Sequence, residues 1–155
     1  MNVLVYAFHQ DSPDHARYEP WLREVLESEE PFGLSELVLS GVVRIVTNRR
    51  VFDVPAPLET ALAFTTSLRS RPNAVIQRPG PRHWEIFERL CRDVNAKANL
   101  VPDAYHAALA IESGSEWITT DRDFARFPGL HWEMTIFGVN VDPLTWTEHV
   151  FLPKA

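Results

Sequence analysis

Apolar positions fall into short continuous runs and longer periodic stripes. The first run, Val3 to Phe8, is apolar and rich in β-branched residues, and it predicts a buried strand. Ser12-Pro13 then reads as a cap followed by proline at a first helical position. Tyr18, Trp21, Leu22, Val25 and Leu26 recur at three- and four-residue spacing, which predicts an amphipathic helix to about Ser28. Pro31-Phe32-Gly33-Leu34 is a short strand or an extended linker, and Ser35 is placed to cap the next helix, with Glu36 in its first turn. Leu37, Val38, Val42, Ile45 and Val46 carry that helix to about Thr47.

After a loop from Val51 to Pro57, a third helix runs to about Ser70 through Leu62, Ala63 and Leu68. Ala74-Val75-Ile76 is a short strand, and Arg78-Pro79-Gly80-Pro81 marks a turn. Trp84, Phe87, Leu90, Cys91 and Val94 form a helical stripe. Pro102 opens a further helix through Ala107, Ala108 and Ile111, which Gly114 ends. Trp117-Ile118-Thr119 is a strand leading into Asp121-Arg122-Asp123-Phe124. Alternation of strands and helices predicts an α/β fold with a central, mainly parallel sheet and helices on both faces. Residues 1–130 form one domain. Residues 131–155 form its tail: an edge strand near Trp132–Ile136, then an irregular end carrying Phe137, Trp146 and Phe151.

Charge sharpens this picture. The formal net charge of −6 argues by itself against a polyanion-coating protein. It hides an asymmetry, because residues 44–97 hold ten basic and five acidic residues, a balance of +5 against −11 elsewhere. Such a split allows an acidic cluster and a basic surface in one small chain, or simply solvated helix faces. A single cysteine, Cys91, leaves no disulfide framework and no multi-cysteine zinc module. No apolar run is long enough to span a membrane, and the first residues do not read as a signal peptide, so the expected compartment is the cytoplasm.

In open α/β sheets ligands bind at the carboxyl ends of strands. The polar residues at such places are Glu36, Asp103, Asp121 and Asp123, with Asn2 ahead of the first run. Taken singly, an acid at a helix start complements the helix dipole, and Asp121 with Asp123 makes an Asx-type turn. Converging, these acids would repel one another, and a hard divalent cation with oxygen ligands would offset the repulsion.

Four runs appear in order: Asn2-Val3-Leu4-Val5-Tyr6-Ala7, Ser35-Glu36-Leu37-Val38-Leu39-Ser40-Gly41, Val101-Pro102-Asp103-Ala104-Tyr105-His106-Ala107-Ala108-Leu109-Ala110 and Thr119-Thr120-Asp121-Arg122-Asp123-Phe124. Together they resemble a PIN-domain ribonuclease, specifically a VapC-type toxin of a bacterial toxin–antitoxin pair. The resemblance implies an Mg²⁺-dependent endoribonuclease, with Mn²⁺ as a substitute. It implies Glu36, Asp103 and Asp121 as metal-site acids, Asp123 as a further acid, and Asn2 and Thr120 as site-shaping residues. It also implies an antitoxin of the VapB kind, an RNA substrate and a homodimer. The family's first motif reads Asp-x-Asn or Asp-x-Ser. Here Asn2 fills its last position and Met1 the middle one, so the aspartate would precede the sequence as written. Either the start was assigned late, which is the expectation, or the metal site is short of one carboxylate and cleavage is impaired.

The implied reaction is attack of a metal-activated water on phosphorus, giving 5′-phosphate and 3′-hydroxyl ends by one or two ions. Arg44, Arg49 and Arg50 become candidate phosphate contacts. His106 reads as a structural hydrogen-bonding histidine, His9 and His15 as surface or loop residues, Cys91 as core, and Trp21 and Trp84 as core or interface. Two rivals remain: a non-catalytic PIN-fold binding module, and a 5′-nuclease-like enzyme acting on DNA.

Overall fold

The computed structural model describes residues 1–133 and the two-residue strand Leu152–Pro153. Two compact units divide the chain, residues 1–76 and 77–155. Among the described residues no helix is long and apolar enough to cross a membrane.

The first unit begins with a correction. Val3 to Phe8 is not a strand but lies in helix α1, Asn2–Phe8. Val3, Leu4, Val5 and Ala7 are all buried. An element enclosed on most sides carries no alternation of polar and apolar positions, so periodicity cannot tell a buried helix from a buried strand. The helix satisfies its own backbone, with the amide of His9 donating to the Val5 carbonyl at 2.9 Å. Helix α2, His15–Glu27, follows and buries Tyr18, Trp21, Leu22 and Val25, the stripe its spacing predicts. α1 packs on α2, with the Tyr6 and Tyr18 rings 5.7 Å apart.

Strand β1, Phe32–Ser35, is buried at every residue and runs directly into helix α3, Glu36–Val46. Ser35 ends the strand and caps the helix, its hydroxyl accepting from the Leu37 amide at 3.2 Å. α3 packs on α1 and on helix α4, Leu58–Arg69. Strand β2, Ala74–Gln77, pairs with β1. Asn73, just before it, donates its side-chain amide to the carbonyls of Ser28 at 2.9 Å and Glu30 at 3.0 Å, which fixes the connection leading into β1.

In the second unit, helix α5, His83–Asp93, buries His83, Ile86 and Leu90 and packs on helix α6, Leu100–Ser113. α6 begins two residues before Pro102, so the proline sits in its first turn, where its missing N–H costs no helical bond. Alanine dominates its buried side, where Ala104, Ala107, Ala108 and Ala110 are each fully enclosed beside Leu100, His106 and Leu109. Gly114 ends α6 in the left-handed region, at φ 66°. Strand β3, Ser115–Ile118, follows at once. It pairs in parallel with β4, Trp132–Glu133, in the register Trp117 to Trp132, and antiparallel with β5, Leu152–Pro153. β4 is the start of the edge strand expected near Trp132–Ile136; residues 134–136 and the rest of the tail to 151 lie outside the described residues.

Burial distinguishes the alternatives that the sequence leaves open for several side chains. Trp84 is 62% exposed whereas Trp21 is buried. Cys91 is half-buried rather than a core residue, and partial burial raises its thiol pKa. His9 is a loop residue that is buried, and its ring bonds the Val54 carbonyl at 3.0 Å while stacking on Phe52.

The Ser35 cap gives a direct test. Ser35→Ala removes the acceptor for the Leu37 amide and is expected to lower unfolding free energy by about 1 kcal/mol, read as a shift in the urea midpoint at unchanged slope.

Candidate active site

Asp103 stands in the first turn of α6, where acids complement the helix dipole. The alanine face of the same helix anchors it in the core of the second unit. Asp103 is therefore half-buried, and its carboxyl is pushed up to about 6. Burial is the larger cause, and the negative charges of Asp121 and Asp123 add to it.

Asp121 follows β3 and caps the short 3-10 turn Arg122–Arg126. Its Oδ1 accepts from the Asp123 amide at 2.9 Å, and its own amide donates to the Thr119 hydroxyl at 3.2 Å. The Asx turn that the sequence suggests is thus present, and it leaves Asp121 its second carboxylate oxygen. Asp123 is exposed, with Oδ1 3.3 Å from the Arg126 guanidinium. The hydroxyl that accepts from the Asp121 amide is that of buried Thr119; Thr120 beside it is half-buried. Strand alternation from buried Trp117 points to 119 as the inward position, so this residue was within reach of a sequence reading.

Three of the predicted acids, Asp103, Asp121 and Asp123, thus share one electrostatic field within the second unit. Glu36 and Asn2 belong to the first unit. Glu36 is exposed at the start of α3 and forms an ion pair with Arg69 of α4 at 2.8 Å. No sequence signal pointed to Arg69, because the two residues are 33 positions apart. Arg44, Arg49 and Arg50 are exposed, and Asn2 is half-buried.

The donor chemistry of these acids fits a hard divalent cation: every candidate ligand is a carboxylate oxygen, and the field that raises the Asp103 pKa is one a cation would relieve. Among the described residues, however, no three His, Cys, Asp or Glu side chains are gathered into a ready coordination set.

His106 lies one turn after Asp103 and is buried, stacked on Trp117 with ring centroids 5.3 Å apart. Its Nδ1 has no hydrogen-bond partner. Burial, helped by His83, lowers its pKa to about 4. Among the described residues it packs against Trp117, and the hydrogen-bonding role expected of it is not seen at Nδ1.

The PIN domain family matches residues 1–130. The chain is 43% identical over 138 residues to the VapC ribonuclease Mb2897 of Mycobacterium bovis, covering 89% of this chain and 94% of that one. It is 38% identical over 127 residues to Ribonuclease VapC25 of Mycobacterium tuberculosis, covering 82% and 89%. Among solved structures, VapBC2 from Rickettsia felis, bound to a DNA fragment from its promoter, aligns at TM-score 0.59 and 19% identity over 86% of this chain and 93% of the other. That structural likeness shows the fold. An α/β chain with carboxylates at a helix start and at a strand end, matched over most of its length, belongs to the PIN-domain family. Within that family it is a member of the VapC group.

In the metal-free protein the two shifted groups act on stability in opposite directions. Charged Asp103 is destabilising, so its protonation as pH falls through about 6 adds stability. His106 stays neutral in the fold, so stability is lost as pH falls from its ordinary 6.5 toward about 4, where the unfolded histidine takes the proton first. Asp103→Asn removes the first effect and leaves the second. In chelator, its melting temperature is expected to exceed the parent's near pH 8, with the advantage gone near pH 4; a lower value near pH 8 would contradict the repulsion.

Proposed function

We propose that this chain is a divalent-metal-dependent endoribonuclease toxin, held in check by an antitoxin of the VapB kind. The carrying observation is the half-buried Asp103 carboxyl, raised to about 6 beside two further acids, in a chain 43% identical to a protein named as a ribonuclease. Asp103, Asp121 and Asp123 are the proposed ligands from the second unit, and Glu36 is the proposed ligand from the first on the strength of its motif. Mg²⁺ is the proposed ion, with Mn²⁺ as a substitute. When bound, the ion supplies Lewis-acid polarisation of a phosphate oxygen and a water acidic enough to act as nucleophile at neutral pH.

The chain's own residues prepare that chemistry. The Asx turn orients the Asp121 carboxylate through its Oδ1, so its free oxygen needs little reordering. The backing of α6 holds Asp103 in place, and its half-burial keeps bulk water from screening the charge. Arg69 restrains Glu36 and must share or release it for an ion. Asn2 and Thr120 are proposed to shape the site. Exposed Arg44, Arg49 and Arg50 are proposed to hold the backbone of the RNA by its phosphates. The products are 5′-phosphate and 3′-hydroxyl ends, the protein is proposed to act in the cytoplasm, and the working unit is proposed to be a homodimer.

Two experiments test the reading. Incubation with total RNA is expected to give cleavage that EDTA abolishes and excess Mg²⁺ or Mn²⁺ restores, with Asp103→Ala reducing the rate by more than about a hundredfold. Absence of cleavage by the parent under any of these ions would overturn the catalytic assignment and favour a binding module. For the cationic surface, the Arg49→Ala, Arg50→Ala double variant is expected to flatten the salt dependence of RNA binding by about 1.4 in log–log slope, two phosphate contacts at about 0.7 each. An unchanged slope would remove those two arginines from the interface.

A further inference from the structure

The first unit contains a cavity of about 370 Å³ whose lining includes none of the proposed metal ligands. Its walls are apolar and aromatic: Val5 and Tyr6 of α1, Ile45 near the end of α3, and Val51 and Phe52 of the loop that follows. Its polar lining includes Asp11 and Ser12 from the connection between α1 and α2, and Asn2.

Both polar and apolar walls are fixed before any ligand arrives. The Phe52 ring stacks on buried His9 with centroids 3.6 Å apart and planes within 9°. The amides of Val51 and Phe52 donate to the Asn48 carbonyl at 3.0 and 3.1 Å. On the other side, the Ser12 amide donates to the His9 carbonyl at 2.9 Å, the Ser12 carbonyl accepts from His15 at 3.0 Å, and the Asp11 amide bonds the His9 ring. The backbone of this turn is satisfied, yet the Ser12 hydroxyl, in a residue only 6% exposed, has no hydrogen-bond partner. A buried hydroxyl left unpaired carries a desolvation penalty that a polar ligand can relieve.

The charge of the lining decides which ligand. Among the described residues no basic side chain lines the cavity, and Asp11 is the one charged group there. A phosphate is therefore repelled from the interior. Arg49 and Arg50 immediately precede Val51, with Cα atoms within about 4 and 7 Å of it. A flat, apolar-faced group goes in and its phosphate stays out, on the arginines. A nucleobase has that form, with faces that pack on hydrocarbon and rings and an edge that hydrogen-bonds. A carboxylate only accepts hydrogen bonds, and guanine presents two adjacent donors, N1–H and the exocyclic amino group, that match its two oxygens.

We propose that this cavity is a guanine subsite for the RNA strand, with Asp11 reading the base edge and Ser12 completing its hydrogen bonds. The assignment rests on the ribonuclease reading for its substrate class, and it names the base that reading leaves open.

The test is titration of the ¹⁵N-labelled full chain, in EDTA, with the 5′-monophosphates of guanosine, adenosine, cytidine and uridine. GMP is expected to give saturable shifts at the amides of Asp11, Ser12 and Val51, with the other three about tenfold weaker or more. Val51→Trp, a change at a position 53% exposed, is expected to fill the cavity and abolish the shifts while the spectrum stays folded. Asp11→Asn is expected to remove the preference for GMP while leaving weak binding, which keeps the proposal testable if the tryptophan variant fails to fold. No saturable shift at those amides with any nucleotide, or GMP binding that is the same in Asp11→Asn as in the parent, overturns the subsite. GMP binding in a chain that cleaves no RNA upholds the subsite and overturns the nuclease reading. Cleavage without nucleotide binding does the reverse.

Discussion

The second unit is organised around a carboxylate that is half removed from water and lies in the field of two others. Burial disfavours the charged form of Asp103, and the negative charges of Asp121 and Asp123 disfavour it further. A chain arranged for stability alone would solvate Asp103 or pair it with a cation, as Asp123 is paired with Arg126. Here the fold keeps the three acids together because α6 has no choice of face. Its alanine side must be enclosed, and that enclosure fixes where the first turn presents its acid. The strain of repulsion and the capacity for a cation are the same arrangement seen with and without the ion.

The surrounding elements serve that arrangement through short hydrogen bonds at element ends. Ser35 closes β1 and opens α3 in one residue, which places Glu36 at a helix start and not within a loop. Thr119 and the Asx turn of Asp121 do the same where β3 ends. Gly114 allows α6 to stop and β3 to start without an intervening loop, because only a residue without a Cβ takes the left-handed conformation at no steric cost. Each junction is no more than three residues long, so each acid stands close to the end of a regular element. The same economy appears in the first unit, where His9 supports the Phe52 wall, its carbonyl anchors the Ser12 turn, and one serine hydroxyl is left over.

The site was more legible in the sequence than the first element was. Glu36, Asp103 and Asp121 announce themselves because caps and helix starts are local events, governed by residues within one turn. The field shared by Asp103, Asp121 and Asp123 was open to the same reading once the runs were placed in order. Val3 to Phe8 misled because its signal was uniform: an element buried on most sides has no polar face to reveal its period. Trp84 stayed ambiguous for another reason, since a large aromatic on a helical stripe fits a core or an interface equally, and only its exposure tells them apart.

The sequence by itself determined the order of the elements, the residues that start and stop them, and the acids that stand at their ends, because each follows from propensities and hydrogen bonds acting over a few residues. Only the tertiary structure decided that α1 is a helix, that Arg69 pairs with Glu36, that Asp103 titrates near 6, and that a cavity with an unpartnered serine lies beside Phe52. Those outcomes depend on what surrounds a group, and burial, field and enclosed space arise only when distant segments are brought together.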